Sequence, residues 1–251
     1  MRSTLFEYVS TLHAGRPWGT MLDAGTGPWS AQWVSSLDTP RWTGVTGSHK
    51  MADDVMKAVA DRLRPEDRIV VGYWSDQSLL AGEVYDTVLA DYLLGAIDGF
   101  TPYAQYTLFE RLRPLVGNRL YVIGLEPYVP YTPSTPAGRI ICEIGRLRDA
   151  CLLLAASRPY REYPSDWTVS HLESAGYRIV DRKSFPIIYD QRFINGALDM
   201  SVDLTKRLSD RQLAEALQQH AEDLRKRALA LHEAEGGLRH GADYVITAEP
   251  A

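Results

Sequence analysis

Short apolar runs alternate along the chain with stretches of helical periodicity, and this alternation constrains the fold more than any other feature. Each run is bounded by glycine, proline or polar turn residues, which is typical of strands buried within a parallel sheet. The pattern therefore predicts an α/β fold in which helices cover a mostly parallel sheet. The predicted strands are 19–24, 42–46, 68–73, 86–91, 119–125, 177–185 and 243–249.

The last two predicted strands are separated by about fifty residues, which is more than a simple connection needs. Most of this segment has a helical pattern. Ser209 and Gln212 form a capping-box pair that opens a long amphipathic helix, and Gly236 is placed to end it. We interpret residues 1–251 as a single domain with a helical cap inserted at about 187–236.

Composition narrows the class of protein. The chain has 27 basic and 32 acidic residues, a formal net charge of −5, which argues against a nucleic-acid binder. No apolar run approaches the roughly 18 residues of a membrane span, and the N-terminal segment does not resemble a signal peptide. We therefore expect a cytoplasmic protein without a membrane partner. Cys142 and Cys151 are expected to be buried free thiols, and the six histidines show no metal-ligand spacing, so no metal is predicted.

The oligomeric state is left open between a monomer and a homodimer. Leucines recur every seven residues along the long helix of the insertion, at Leu217, Leu224 and Leu231. Such a repeat fits a dimer seam, but because it is short, a helix that packs on its own domain is the favoured interpretation.

The segment TMLDAGTGPWSAQW, which begins at Thr20, places two glycines directly after the first predicted strand. Glycines at such a turn let the backbone approach a ligand closely. A pyrophosphate site would favour a third glycine, and here Pro28 and Trp29 would crowd that group. Asp23 repels phosphate but suits a cation, such as a sulfonium-bearing amino acid with its ammonium group. The turn therefore favours S-adenosylmethionine over NAD.

Four motifs in the expected order resemble those of the class I S-adenosylmethionine-dependent methyltransferases. LDAGTG resembles the D/E-x-G-x-G first motif, and YDTVLADYLLGAID resembles the fourth. LRPLVGNRLYVIG is similar to the run into the fifth strand, and SDWTVSHLESAGYRIV is similar to the segment before the sixth. The resemblance spans residues 19–184.

The resemblance implies a Rossmann-like seven-stranded sheet with an antiparallel last strand and S-adenosylmethionine bound across the carboxyl ends of strands one to four. One departure concerns the ribose, because the acid that usually ends strand two is replaced by GVTGSHK. By this resemblance the cofactor-binding residues are Asp23, Gly25, Gly27, Thr46, Ser75, Asp76, Asp91 and Tyr92.

The catalytic residues are less clearly marked, since methyl transfer depends mainly on positioning and needs a general base only if the acceptor must lose a proton. Candidates on the loops beyond the strands are Tyr92, Asp98, Tyr103, Tyr128, Tyr189 and Arg192. Asp98 can equally serve as a helix cap. The tyrosines together indicate an aromatic-walled pocket, which the cap would close against water.

Three functions remain open at this point. The first is a methyltransferase that acts on O or N of a small, aromatic or amino-acid-derived metabolite. The second keeps S-adenosylmethionine but uses its aminocarboxypropyl carbon, either for cyclisation to azetidine-2-carboxylate or for transfer to an acceptor, with release of methylthioadenosine. The third is a non-catalytic cofactor-binding protein.

Overall fold

The computed structural model describes residues 2–251, with side chains from Thr4 onward. The chain divides into two compact units. The first unit comprises Met1–Leu125, Glu162–Ser184 and Tyr244–Ala251, and the second comprises Glu126–Arg161 and Phe185–Asp243.

All seven predicted strands are present. Their bounds are β1 Met21–Asp23, β2 Trp42–Thr46, β3 Arg68–Val71, β4 Tyr85–Asp91, β5 Val116–Leu125, β6 Tyr177–Tyr189 and β7 Leu238–Pro250. They form one sheet in the order β3-β2-β1-β4-β5-β7-β6. β1 pairs in parallel with both β2 and β4, and parallel pairing continues to β3 and β5. The sheet is mostly parallel with an antiparallel end, which confirms the predicted fold class.

Helices follow most of the strands. They are α1 Arg2–His13, α2 Pro28–Val34, α3 His49–Val59, α4 Leu93–Ala96, α5 Gln105–Leu112, α6 Pro136–Leu154, α7 Ser165–Ser174, α8 Gln191–Thr205 and α9 Arg211–Glu235. Within residues 2–251, none of these helices is long and apolar enough to cross a membrane. The segment expected to be a helical cap contains α8 and α9.

The predicted start of the long helix α9 was wrong by one residue. Asp210, not Ser209, is its N-cap, and the Asp210 carboxylate accepts a hydrogen bond of 3.0 Å from the backbone N–H of Leu213. An aspartate next to a serine offers a second oxygen acceptor at nearly the same place, so spacing alone does not separate them. Gly236 ends α9 with φ 68°, the left-handed conformation that glycine adopts without strain.

The core of the first unit lies between the central strands and the helices beside them. Leu22, Val88, Leu120 and Val122 are buried on the strands, and three residues of α5 join the same cluster: Leu108, Phe109 and Leu112. Burial of these side chains supplies the main stabilisation of the sheet. It also holds the carboxyl ends of β1, β2 and β4 at one edge.

In the second unit α8 and α9 pack against each other and against α6. Arg225 on α9 donates to the Asp199 carboxylate of α8 at 2.7 Å, and Arg227 pairs with Glu143 of α6 at 2.6 Å. Cys142 and Cys151 on α6 are both buried and free, as predicted.

Candidate functional site

The turn after β1 is held by backbone hydrogen bonds to both neighbouring strands. The N–H of Ala24 donates to Leu89 of β4 at 2.8 Å, and the N–H of Thr26 donates to Val45 of β2 at 2.7 Å. Asp23, the last residue of β1, is therefore fixed between two strands at their carboxyl edge. This is the edge at which ligands bind in open α/β sheets.

Asp23 is fully buried, and burial raises the pKa of its carboxyl from 3.8 to about 6. The nearby Ser30 and Thr26 hydroxyls and the Gly25 N–H oppose this rise in pKa. Even so, neither Asp23 carboxylate oxygen has a hydrogen-bond partner among the described residues, and the same holds for Thr26 Oγ1. Buried polar atoms are normally paired, so three orphaned atoms at one turn indicate a place for a polar ligand.

The two glycines of the turn have different surroundings. A Cβ atom at Gly25 would lie 3.0 Å from the Cβ of Leu93 on α4, so a side chain there would be forced against packed structure. A Cβ at Gly27 would meet nothing within 4 Å. Gly25 is thus tightly packed against Leu93, whereas Gly27 leaves open space over the backbone that a ligand can occupy.

Trp74 supports the turn from the loop after β3. Its indole Nε1–H donates to the carbonyl of Ala24 at 2.7 Å, and its side chain is buried. The Arg111 guanidinium lies over the Trp74 ring, 5.6 Å from its centroid, and donates to the carbonyls of Asp76 and Leu79. Sequence reasoning did not identify Trp74 or Arg111. The only available signal was a tryptophan directly beyond a strand end.

The predicted adenine-contacting residues, Ser75 and Asp76, lie exposed on this same loop. Asp76 Oδ1 accepts from both the backbone N–H and the hydroxyl of Ser78, at 2.8 and 2.7 Å, and these bonds lower the pKa of the Asp76 carboxyl. The carboxylate therefore shapes the turn in addition to any role toward a nucleobase, and that role stays a prediction.

At the end of β2, Thr46 is buried and its carbonyl accepts from the Gly72 N–H at 2.9 Å. The ring of Phe100 lies over the next residue, because a Cβ at Gly47 would meet it at 2.7 Å. Phe100 is also 6.3 Å from the ring of Tyr73. The segment after β4 thus reaches across to the ends of β2 and β3, so aromatic rings border this edge of the sheet.

Asp91 and Tyr92 follow at the end of β4. Asp91 is buried, and Tyr92 has φ 50°, a left-handed conformation that is unfavourable for a tyrosine. The Tyr92 N–H donates to Ile123 of β5 at 2.9 Å, which helps to hold it in this conformation. Strained residues of this kind concentrate at functional sites, and the role of Tyr92 stays a prediction.

Asp98 and Tyr103 come together in the structure. The Asp98 side chain is buried, and its Oδ1 accepts from the backbone N–H of Tyr103 at 3.1 Å. Tyr103 has φ 68° and its side chain is exposed. Asp98 therefore holds the segment before α5 in shape, which is close to the capping alternative, and its catalytic role stays a prediction.

The other three predicted catalytic residues belong to the second unit. The rings of Tyr128 and Tyr189 lie 6.4 Å apart, and Arg148 donates to the Tyr128 hydroxyl at 3.4 Å. The Tyr189 hydroxyl is buried without a hydrogen-bond partner among the described residues, and burial, followed by Tyr128 and Asp243, raises its pKa. Arg192 is exposed on α8, so the structure brings the two tyrosines together but not the arginine. In residues 2–251 no group of three or more His, Cys, Asp or Glu side chains is suited to hold a metal ion.

Comparison with solved structures identifies the fold. A putative methyltransferase, BH2331 from Bacillus halodurans, superposes with a TM-score of 0.65 at 10% identity, covering 99% of this chain and 100% of that one. The chain has the methyltransferase variant of the Rossmann-like fold. The [4+2]-cyclase SpnF superposes with a TM-score of 0.58 at 14% identity over 98% of this chain and 80% of its own.

A third protein with the methyltransferase fold was solved with ligands. Coclaurine N-methyltransferase, bound to N-methylheliamine and SAH, superposes with a TM-score of 0.54 at 11% identity over 98% of this chain and 72% of its own. No protein-family model matches the sequence, and a search of curated proteins finds no significant match.

Proposed function

We propose that this protein is an S-adenosylmethionine-dependent methyltransferase that acts on O or N of a small, aromatic or amino-acid-derived metabolite. The observation that carries the proposal is Asp23, a fully buried carboxyl whose oxygens lack hydrogen-bond partners at the glycine turn. A nucleoside that carries an amino acid through a sulfonium offers ammonium and hydroxyl donors to such a carboxylate. A cationic donor there would also offset the burial that raises the pKa of Asp23.

The residues present fit this cofactor. Thr26 Oγ1 adds a second orphaned polar atom, Gly27 leaves the backbone open, and Trp74 fixes the carbonyl of Ala24 beside the acid. S-adenosylmethionine supplies a methyl group made electrophilic by its sulfonium. The protein's contribution is then to bind, to orient the acceptor and to exclude water, which accounts for much of the rate in such displacements.

The acceptor class is supported by the aromatic side chains of the first unit. Tyr73 and Phe100 form a tilted pair beyond β3 and β4. Trp29 is exposed in the first turn of α2, and Tyr103 is exposed on the segment before α5. Aromatic faces hold planar rings and attract cationic amines. Coclaurine N-methyltransferase, which shares the fold, was solved with N-methylheliamine bound. We propose a small-molecule substrate with no nucleic acid, a cytoplasmic location, and a monomer or homodimer.

A second function is favoured by the end of β2. Thr46 and Ser48 stand where an acid usually grips the ribose, and the Ser48 hydroxyl accepts from the Met51 N–H at 3.4 Å to cap α3. Either a hydroxyl replaces the usual carboxylate or the ribose is held from elsewhere, and a changed ribose contact can present the aminocarboxypropyl carbon to the nucleophile in place of the methyl group. SpnF shows that the same fold also carries a cyclase.

Product analysis separates these functions. The protein is incubated with S-adenosylmethionine alone and with a panel of aromatic amines, phenols and amino acids, and the adenosyl products are identified by mass spectrometry. S-adenosylhomocysteine that forms only with an acceptor supports methyl transfer. Methylthioadenosine without an acceptor supports cyclisation instead, and with an acceptor it supports aminocarboxypropyl transfer. Tight cofactor binding without any product would support the third function, a non-catalytic cofactor-binding protein.

A pair of variants tests the site itself. Asp23→Asn removes the buried charge and should lose binding of S-adenosylhomocysteine by calorimetry. Asp53→Asn replaces an exposed carboxylate of α3 and should bind like the wild type. Equal affinity of the two variants would overturn the placement of the cofactor at this turn.

A further inference from the structure

A cavity of about 350 Å³ with charged side chains in its wall lies at the amino-terminal edge of the sheet in the first unit. Thr87 and Arg119, near the starts of β4 and β5, form part of its wall. Asp91 ends β4 four residues beyond Thr87, about 13 Å along the strand. The cavity is therefore separate from the glycine turn. Its remaining lining residues are His13, Arg16, Pro17, Asn118 and Glu249.

The cavity contains one carboxylate that is paired with more than one cation. Glu249 Oε1 accepts from Arg119 Nε at 3.1 Å and from Arg16 Nη1 at 3.2 Å, and Oε2 accepts from Arg178 at 2.6 Å. These three arginines lower the pKa of Glu249, which stays ionised. The other nearby acid is Asp86, which accepts from the Asn118 amide at 3.1 Å. Three guanidinium groups thus face two carboxylates, leaving an excess positive charge.

The neighbouring titratable groups do not cancel this excess. His13 is buried, and its pKa is lowered by burial first and then by Arg119 and Arg16, so the ring is neutral at physiological pH. It is fixed by contacts of 2.9 Å to the Tyr121 hydroxyl and 3.1 Å to the Pro17 carbonyl. The pKa of Tyr121 is raised, so this hydroxyl is neutral too.

Two of the arginines have different roles in the wall. The Arg119 side chain is only 5% exposed and is held by Glu249, by the Leu12 carbonyl at 3.1 Å and by the Tyr121 hydroxyl. Arg16 is 58% exposed and bonds Glu249 through Nη1 alone, so its other guanidinium nitrogens make no hydrogen bond to the described residues. Arg16 therefore has a free edge of the planar fork that binds carboxylate or phosphate.

We propose that this cavity is a binding site for a small metabolite with a phosphate or carboxylate group. Arg16 supplies the donors for the anion, and the buried, immobile Arg119 supplies fixed positive charge. The volume exceeds that of a bare ion and falls in the range of small-molecule sites. The site is distinct from the proposed cofactor site and does not depend on it.

The test uses inorganic phosphate and citrate as separate probes, with sodium chloride at equal ionic strength as the reference. Binding is measured by calorimetry and the unfolding temperature by fluorimetry. We expect one equivalent of phosphate, citrate or both to bind and to raise the unfolding temperature above that in chloride. Binding of phosphate indicates that the natural ligand carries a phosphate group, and binding of citrate indicates that it carries a carboxylate. Identical unfolding temperatures and no binding heat in both arms would overturn the proposal.

Variants locate the binding. Arg16→Gln should weaken affinity about tenfold, because it removes a charge-assisted contact. Arg16→Lys keeps the charge without the planar fork and should retain part of the affinity. Arg62→Gln, which alters an exposed arginine on the same unit bonded to the Gln32 carbonyl, should bind as tightly as the wild type. Full affinity in Arg16→Gln would refute the assignment, and S-adenosylhomocysteine binding in the same samples reports separately on the cofactor site.

Discussion

Replacing Asp23 by asparagine should stabilise the folded protein in a strongly pH-dependent manner. The Asp23 pKa is about 6 in the folded state against an ordinary value of 3.8, because burial disfavours the charged carboxylate. A rise of roughly two units corresponds to about 3 kcal/mol, since one unit is worth about 1.4 kcal/mol. The side chain is fully buried, so solvent does not screen this effect.

The sign follows from proton binding. Between pH 4 and pH 6 the folded protein holds the Asp23 proton more tightly than the unfolded chain does, so the free energy of unfolding falls as pH rises. Above pH 6 the carboxyl is ionised in both states and the full penalty of about 3 kcal/mol is present. Asparagine does not ionise, so the variant lacks this pH-dependent loss.

Urea unfolding of the wild type and Asp23→Asn, from pH 4 to pH 8, measures the effect. The difference in the free energy of unfolding should grow by about 2.5 kcal/mol in favour of the variant across this range, because the unfolded chain is already partly ionised at pH 4. Any packing cost of the asparagine amide is the same at every pH, so it does not affect how this difference changes with pH. Asp53→Asn, on the exposed face of α3, should follow the wild type at every pH. A difference that stays constant between pH 4 and pH 8 would refute the reasoning.

Three further predictions concern the turn and the buried ion pair. Gly25→Ala should lower the free energy of unfolding by about 1–3 kcal/mol through overpacking, whereas Gly27→Ala should unfold like the wild type but bind S-adenosylhomocysteine more weakly. Thermal unfolding measures the stability of both variants, and calorimetry measures their affinity for S-adenosylhomocysteine. Trp74→Phe should reduce that affinity about fivefold, a loss of about 1 kcal/mol from one hydrogen bond, while Trp167→Phe on α7 leaves it unchanged; equal affinities would contradict the supporting role. Glu249→Gln should cost about 3 kcal/mol in urea unfolding at pH 7, since it leaves a buried guanidinium without its carboxylate; an unchanged midpoint would contradict this.

The fold was predictable from the sequence because its signals are local. Most of the parallel strands are short, mainly apolar segments between turn residues, and such a segment can be recognised without knowing its partner strand. The cysteines on α6 were likewise predicted to be buried. The prediction of the α9 cap was wrong because Ser209 and Asp210 offer similar oxygen acceptors one residue apart, and only the backbone path decides between them.

The candidate site was predictable in part. Asp23, Gly25 and Gly27 lie within five consecutive residues, so the sequence predicted that they share one turn. It did not show the support of that turn by Trp74, which is 50 residues away from Ala24. It also did not distinguish the roles of the two glycines, because Gly25 is constrained by Leu93 of α4 and Gly27 is not.

By itself the sequence determined the sheet, the helices and the turn that carries an acid beside two glycines, since strand, helix and turn preferences depend on neighbouring residues. Only the tertiary structure decided how those groups behave. The pKa of Asp23 depends on the complete burial of its carboxyl. The charge of the cavity at the amino-terminal edge of the sheet depends on Arg119 and Glu249, which are 130 residues apart. Burial and long-range pairing arise only when the chain packs, so the pKa of Asp23 and the charge of the cavity depend on the tertiary structure.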